Sequence, residues 1–338
     1  MTNRPIGGSR RRAVELSPQN AVHIHRVDDN PLTPWMVEPG RPDVDLVVWV
    51  GENRELVDSR LLDAGAVLFR GFDVLTADHF ELVASALTSD LYGGYGDLPR
   101  EGASPNIYKS TPYPADQPIL FHNESSHLSS WPMRLSFCCL VASQEGGETP
   151  LADCRVMAQR LDSAVLERLR AKGLTYIRNF AGLDVSWQQF FQTDDRREVD
   201  RLCAQSGAEH EWKDGDRLCV RQAAAAIRTH PITGETVFFN QIQLHHPYFL
   251  QPEVRESLLS MLSVDDLPRN VVYGDGTPIE DDVAEHISKL YWDTSAMFPW
   301  HAGDVITLDN MLTAHARMPF RGERRIAVAM AGITSGPA

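Results

Sequence analysis

Apolar positions along this chain come in short runs, each bounded by glycine, proline or polar residues. DLVVWV (45–50) predicts a short strand, and helix-like spacing follows over Arg54–Ala64, ending at Gly65. GAVLFRGF (65–72) predicts a second strand. In the segment after it, TADHFELVASALTS, Thr76 is placed to cap an amphipathic helix. RLSFCCLVA (134–142) is continuous enough for a buried strand, GGETPLAD for a turn, and VMAQRLDSAVLERLRAKG for one helix stopped by a glycine. TVFFNQIQL, with a strand-like run continuing into His245 and His246, is followed by the helical LQPEVRESLLSMLS and an acidic helix starting near Ile279. DVITLD and RRIAVAM then predict a closing pair of strands. From Tyr92 to Pro118 the abundance of Gly, Pro, Ser and Tyr predicts surface loops, a candidate mobile rim for a site.

Strands dominate near the candidate chemistry and helices lie elsewhere, which predicts a mainly β sandwich or barrel decorated by helices. No internal repeat or strong linker divides the chain. The expectation is therefore a disordered leader over 1–20 and a single domain over 21–338.

Composition narrows the class. A net charge of −14 and a pI near 5.3 argue against a nucleic-acid partner. No run approaches the roughly 18 apolar residues that a membrane span needs, and MTNRPIGGSRRRAVELS lacks the apolar core of a signal peptide. Five cysteines without a CxxC pair suggest neither a disulfide framework nor a zinc ribbon, so a reducing cytoplasm is the expected compartment. Cys138 and Cys139 are expected as small buried hydrophobes.

The candidate chemistry begins at FHNESS. In an extended strand residues i and i+2 share a face, so His122 and Glu124 would point together with Asn123 turned away. Alone, such a pair is common. A third donor is available at His315, beyond DVITLDN, and Arg325 follows ten residues later on a strand where it shares a face with Ala327 and Ala329. An arginine flanked by alanines suggests a cation with space beside it, suited to a carboxylate ligand. Two histidines and one carboxylate form the facial triad of non-haem Fe(II) oxygenases, which leaves positions for a 2-oxo acid and dioxygen.

These residues resemble the taurine dioxygenase family of Fe(II)/2-oxoglutarate dioxygenases. GAVLFRGF, HNES, GGET and DNMLTAHARMPFRGERR carry the likeness in order, over roughly Asp45 to Met330. The resemblance implies a double-stranded β-helix (jelly-roll) core and iron ligands His122, Glu124 and His315. It also implies that Thr149 and Arg325 hold the distal carboxylate of 2-oxoglutarate. Glutamate in place of the founding enzyme's aspartate is similar to the clavaminate synthase and amino-acid hydroxylase branch. Where the founding enzyme binds sulfonate with an arginine, this chain has Ala329, which disfavours taurine.

HNE, WP, GGETP, HPITGE and the DNM segment further resemble the syringomycin-type amino-acid hydroxylases of nonribosomal-peptide clusters. That likeness implies hydroxylation at an unactivated C–H, the β-carbon, of an amino acid tethered to a carrier protein. It departs at His127, where a tyrosine is usual, and at Pro112, where an acid is usual. Alternatives are a hydroxylase or desaturase of a free amino acid or other small polar metabolite, and a cupin-like Zn(II) or Mn(II) isomerase or hydrolase. Asn240, Gln241, Arg317 and His127 are the candidate substrate contacts. Of these, Arg317 is the arginine placed to bind a free α-carboxylate. His245 and His246, facing opposite ways on a strand, offer at most one side chain to the metal.

Overall fold

The computed structural model describes residues 21–93, 100–101 and 104–336; the expected leader lies outside them. Two sheets form the core. The larger has seven strands, ordered Val22–Arg26, Trp35–Pro39, Ala66–Phe69, Val305–Asp309, Ser130–Val141, Arg325–Ser335 and Ile107–Lys109. The smaller has four, ordered Ser295–Ala296, Leu151–Asp153, Thr313–Arg317 and Ile119–His122. Neighbours are antiparallel except for Trp35–Pro39 beside Ala66–Phe69. Together they make the jelly-roll core.

Alternation along the strands separates two apolar layers. Phe137, Ile306, Leu308, Ile326, Val328 and Met330 face inward, where they meet Leu151 of the smaller sheet. Cys138, Leu140, Ala327 and Ala329 face outward, beneath Trp49, Phe80, Val83 and Leu87 of the covering helices. All five cysteines are free and buried. Burial pushes the Cys139 thiol up to about 12, so it behaves as an apolar filler.

Several expected elements are confirmed, among them the helix Arg54–Ala64 and the helix Ala77–Leu87 capped by Thr76, whose hydroxyl accepts from the His79 N–H. Others differ for local reasons. DLVVWV is the helix Leu46–Glu52, because the Asp45 side chain accepts from the Val48 N–H and starts a helical turn. The single helix expected after GGETPLAD is two, Cys154–Arg160 and Ser163–Lys172, because Asp162 caps a new start at the Ala164 and Val165 N–H groups. The strand in TVFFNQIQL ends at Phe238, and His245 belongs to the short helix Ile242–His245. The loop-rich stretch from Tyr92 to Pro118 contains the strand Ile107–Lys109.

Gly65 ties these elements together. It ends the helix Arg54–Ala64 at φ 73°, and its carbonyl accepts the Thr313 hydroxyl at 2.9 Å. A Cβ there would lie 2.2 Å from Thr313 Oγ1, so only glycine lets the C-terminal strand come this close.

Candidate metal and co-substrate site

The strand Thr313–Arg317 pairs with Ile119–His122 so that His315 lies directly opposite His122. Their rings stand 4.3 Å apart between centroids. The strand ends at His122, so Glu124 is not its i+2 neighbour within the strand. It sits on a turn in which Ser125 takes a positive φ of 56°. The turn nevertheless brings Glu124 to the same place, and one donor atom from each of His122, Glu124 and His315 lies within 4.8 Å of the others.

The donors suit a metal ion. His122 Nδ1 donates to the Leu120 carbonyl at 2.8 Å, so Nε2 is the ring nitrogen left to ligate a metal. Burial, with His122 beside it, holds the His315 imidazole well below the ordinary histidine range, so it is neutral as a ligand must be. His315 Nδ1 has no hydrogen-bond partner among the described residues. Imidazole and carboxylate without thiolate favour iron over a closed zinc site.

Asn310 fastens Glu124 in place. Its amide oxygen accepts from the Glu124 N–H at 2.8 Å, and its amide nitrogen donates to the carbonyls of Glu124 at 2.9 Å and Pro132 at 2.8 Å. Asn123, turned inward, donates to the Asn310 carbonyl at 2.7 Å. The preceding Asp309 accepts from the Met311 and Leu312 N–H groups and from buried His230, whose Nε2 lies 3.1 Å away. His230 Nδ1 accepts from the Thr233 N–H, which fixes the proton on Nε2. HPITGE and DNM, whose likeness was noted in sequence but whose residues had no role, thus meet behind the carboxylate. Asn310→Ala is expected to weaken metal binding about 10–100-fold in an anaerobic titration, the usual effect of losing a partner that orients a ligand.

The co-substrate side requires a correction. Thr149 lines the same cavity as the triad, but the arginine beside it is Arg324, not Arg325. Arg325 is exposed and lies at an outer vestibule of about 320 Å³. Ala327 and Ala329, on the face expected for Arg325, are small because helices pack over them, not because a ligand does. Arg324 Nε donates to the Gly147 carbonyl at 2.9 Å, and burial with nearby Arg317 pulls its pKa down to about 10. Gly147 has φ 78°, and a Cβ there would press within 3.0 Å of the arginine Cδ and Nε. The tandem glycine of GGET thereby makes room for Arg324.

The candidate substrate residues separate as follows. Arg317 lines the cavity, yet its guanidinium donates to the carbonyls of Tyr113 at 3.1 Å, Pro114 at 2.6 Å and Gln117 at 2.6 Å. Gln241 donates to the Asn123 carbonyl at 3.1 Å and the Asn240 carbonyl accepts from the Asn123 N–H at 3.2 Å, so both brace the turn that carries Glu124, while the Asn240 carboxamide oxygen accepts from the Ile242 N–H at 3.0 Å within its own segment. His127 does follow a bend, but it packs against Tyr176 and His245, at 5.8 and 5.2 Å between ring centroids, and does not line the cavity. Burial and then Arg178 push its pKa down to about 3. His245 is held in that cluster, and His246 contacts the Ile279 carbonyl at 3.0 Å.

A jelly-roll that gathers two imidazoles and a carboxylate beside a hydroxyl and a guanidinium is the architecture of an Fe(II)- and 2-oxoglutarate-dependent non-haem dioxygenase. The model of the taurine catabolism dioxygenase TauD, TfdA family matches residues 28–331, and the chain belongs to that family. Iron(II), 2-oxoglutarate and dioxygen are accordingly its cofactor and co-substrates.

Among relatives, the dapdiamide synthesis protein DdaC of Enterobacter agglomerans is 37% identical, over 81% of this chain and 84% of that one. A clavaminate synthase-like protein of Arabidopsis thaliana is 29% identical, over 82% and 84%. In fold, the chain is similar to a taurine dioxygenase of Burkholderia xenovorans, with a TM-score of 0.55, 14% identity and coverage of 92% and 89%. It is also similar to PvcB of Pseudomonas aeruginosa, with a TM-score of 0.52, 16% identity and coverage of 96% and 95%. No helix among the described residues is long and apolar enough to cross a membrane.

Proposed function

We propose that the protein hydroxylates an unactivated C–H, the β-carbon, of an amino acid presented as a thioester on a carrier protein, in the making of a natural product. In this reading His122, Glu124 and His315 hold iron, while Thr149 and Arg324 hold the distal carboxylate of 2-oxoglutarate. Bound iron and 2-oxoglutarate supply the oxidising power that removes a hydrogen from carbon. The chain's own part is to fix three donors, seat the co-substrate and leave space for the target carbon. Glu124 keeps the carboxylate position that halogenating relatives leave to chloride, which favours hydroxylation.

The observation that carries the carrier-bound reading is the state of Arg317. The arginines lining the metal cavity are Arg317 and Arg324, and Arg317 directs both terminal nitrogens to three rim carbonyls, leaving Nε alone without a partner among the described residues. With Arg324 given to 2-oxoglutarate, Arg317 would have to release rim carbonyls before it could offer a bidentate pair to a free α-carboxylate. A thioester has no such group to satisfy. Relatives named for dapdiamide synthesis and, for PvcB, an isonitrile synthetic pathway are in keeping with this setting.

The test is incubation with Fe(II), 2-oxoglutarate and matched amino acids, free and carrier-tethered, read by mass spectrometry. Tethered substrates are expected to gain one oxygen. Turnover of a free amino acid at about 1 s⁻¹ or more, with no gain from tethering, would overturn the reading.

A further inference from the structure

Trp300 lies in the turn before the strand Val305–Asp309, buried against Phe298. Its indole Nε1 donates to Thr149 Oγ1 at 3.0 Å. Indole nitrogen can only donate, whereas a hydroxyl has one proton and two lone pairs. Once a lone pair of Thr149 is occupied by the indole, the hydroxyl proton is left to find an acceptor. Thr149 is itself buried, and among the described residues its side chain has no other hydrogen bond. The hydroxyl shares the cavity with Arg324 and the triad. A buried donor without an acceptor is costly, and an anion arriving beside Arg324 removes that cost.

The turn carrying Trp300 is itself anchored. Arg70, from GAVLFRGF, donates to the Pro299 carbonyl at 2.8 Å and to Asp304 Oδ2 at 2.6 Å. Asp304, almost wholly buried, accepts from the His301 N–H at 2.8 Å. The residues on both sides of Trp300 are thereby held against the larger sheet, and the indole is presented at a fixed position.

We propose that Trp300 is a positioning residue that turns the Thr149 hydroxyl into a dedicated donor for the distal carboxylate of 2-oxoglutarate, with Arg70 and Asp304 holding the turn that presents it. This rests on Thr149 and Arg324 being the co-substrate pair. A hydroxyl free to rotate could serve donor or acceptor groups alike; one already accepting from an indole favours an acceptor, here a carboxylate oxygen.

The experiment is calorimetric titration of 2-oxoglutarate into the Zn(II)-loaded protein, which reports binding without turnover. Trp300→Phe removes the donor and keeps an aromatic ring. It is expected to weaken 2-oxoglutarate binding about 3–10-fold, the range for one neutral hydrogen bond, with metal affinity unchanged. Thr149→Val is expected to weaken it comparably or more, and the double variant no further than Thr149→Val alone. If Thr149→Val has no effect, the co-substrate assignment itself fails. If Thr149→Val weakens binding but Trp300→Phe does not, or the two losses add, the role of Trp300 is overturned and the assignment stands. Should Trp300→Phe not fold, the indole N–H resonance of Trp300 in ¹⁵N-labelled protein decides. It should shift on Thr149→Val and on addition of 2-oxoglutarate, and an unmoved resonance overturns the proposal.

Discussion

Alanine at His122, Glu124 or His315 is expected to abolish turnover and leave the circular dichroism spectrum of the folded protein unchanged. Each residue belongs to a framework that exists before metal arrives. The two histidines are register partners in a sheet, and the Glu124 main chain is held by Asn310. Removing a direct ligand should cost metal affinity beyond the roughly 10–100-fold expected when an outer partner is lost. Filling the intact site with Zn(II) should likewise give an inactive protein, because zinc has no redox chemistry. Full activity with zinc, in an anaerobically prepared and iron-free sample, would remove the oxygenase mechanism from this site.

Next in size is the contrast between two adjacent arginines. Arg324→Ala is expected to lower affinity for 2-oxoglutarate by about 10–150-fold, corresponding to roughly 1.5–3 kcal/mol for a charge-assisted pair. Arg325→Ala should change it by no more than about twofold, as for an exposed charge outside the cavity. The comparison is made from KM for 2-oxoglutarate and from direct titration. A large loss at Arg325 with none at Arg324 would mean that the strand presents the opposite face to the site.

That pair also shows where sequence alone runs out. Alternation correctly divides the strand into Ile326, Val328 and Met330 on one side and Ala327 and Ala329 on the other, but says nothing of which side is inner. Two alanines look equally like a ligand's space and a helix's footprint. The covering helices, Ala77–Leu87 among them, are far away in sequence and distinguish the two. The grouping of His122, Glu124 and His315 is legible because their residue types are chemically distinctive and lie in recognisable motifs, even though Glu124 reaches the site by a turn rather than by strand alternation. Asn310 and Trp300 are not, since a buried carboxamide and an indole have ordinary structural uses everywhere. DLVVWV reads as a strand in sequence because its five apolar residues fit a strand or a buried helix equally well. The side chain of Asp45 decided the matter locally. His245 and His246 were misplaced for a related reason, since the run before them switches from strand to helix after Phe238.

The strand order of the two sheets bears on how the protein comes into being on the ribosome. Val305–Asp309 lies between Ala66–Phe69 and Ser130–Val141, Arg325–Ser335 between Ser130–Val141 and Ile107–Lys109, and Thr313–Arg317 between Leu151–Asp153 and Ile119–His122. The middle of both sheets is thus made last. A nascent chain halted before Val305 would expose unpaired edges of early strands and could form neither the His122–His315 pair nor the Asn310 support for Glu124. Such a chain depends on long-range pairing that waits for late segments, a topology that folds slowly and leaves sticky edges in the meantime. Iron would then be acquired after synthesis rather than during it, and the apoprotein should be the species that chaperones and proteases first meet.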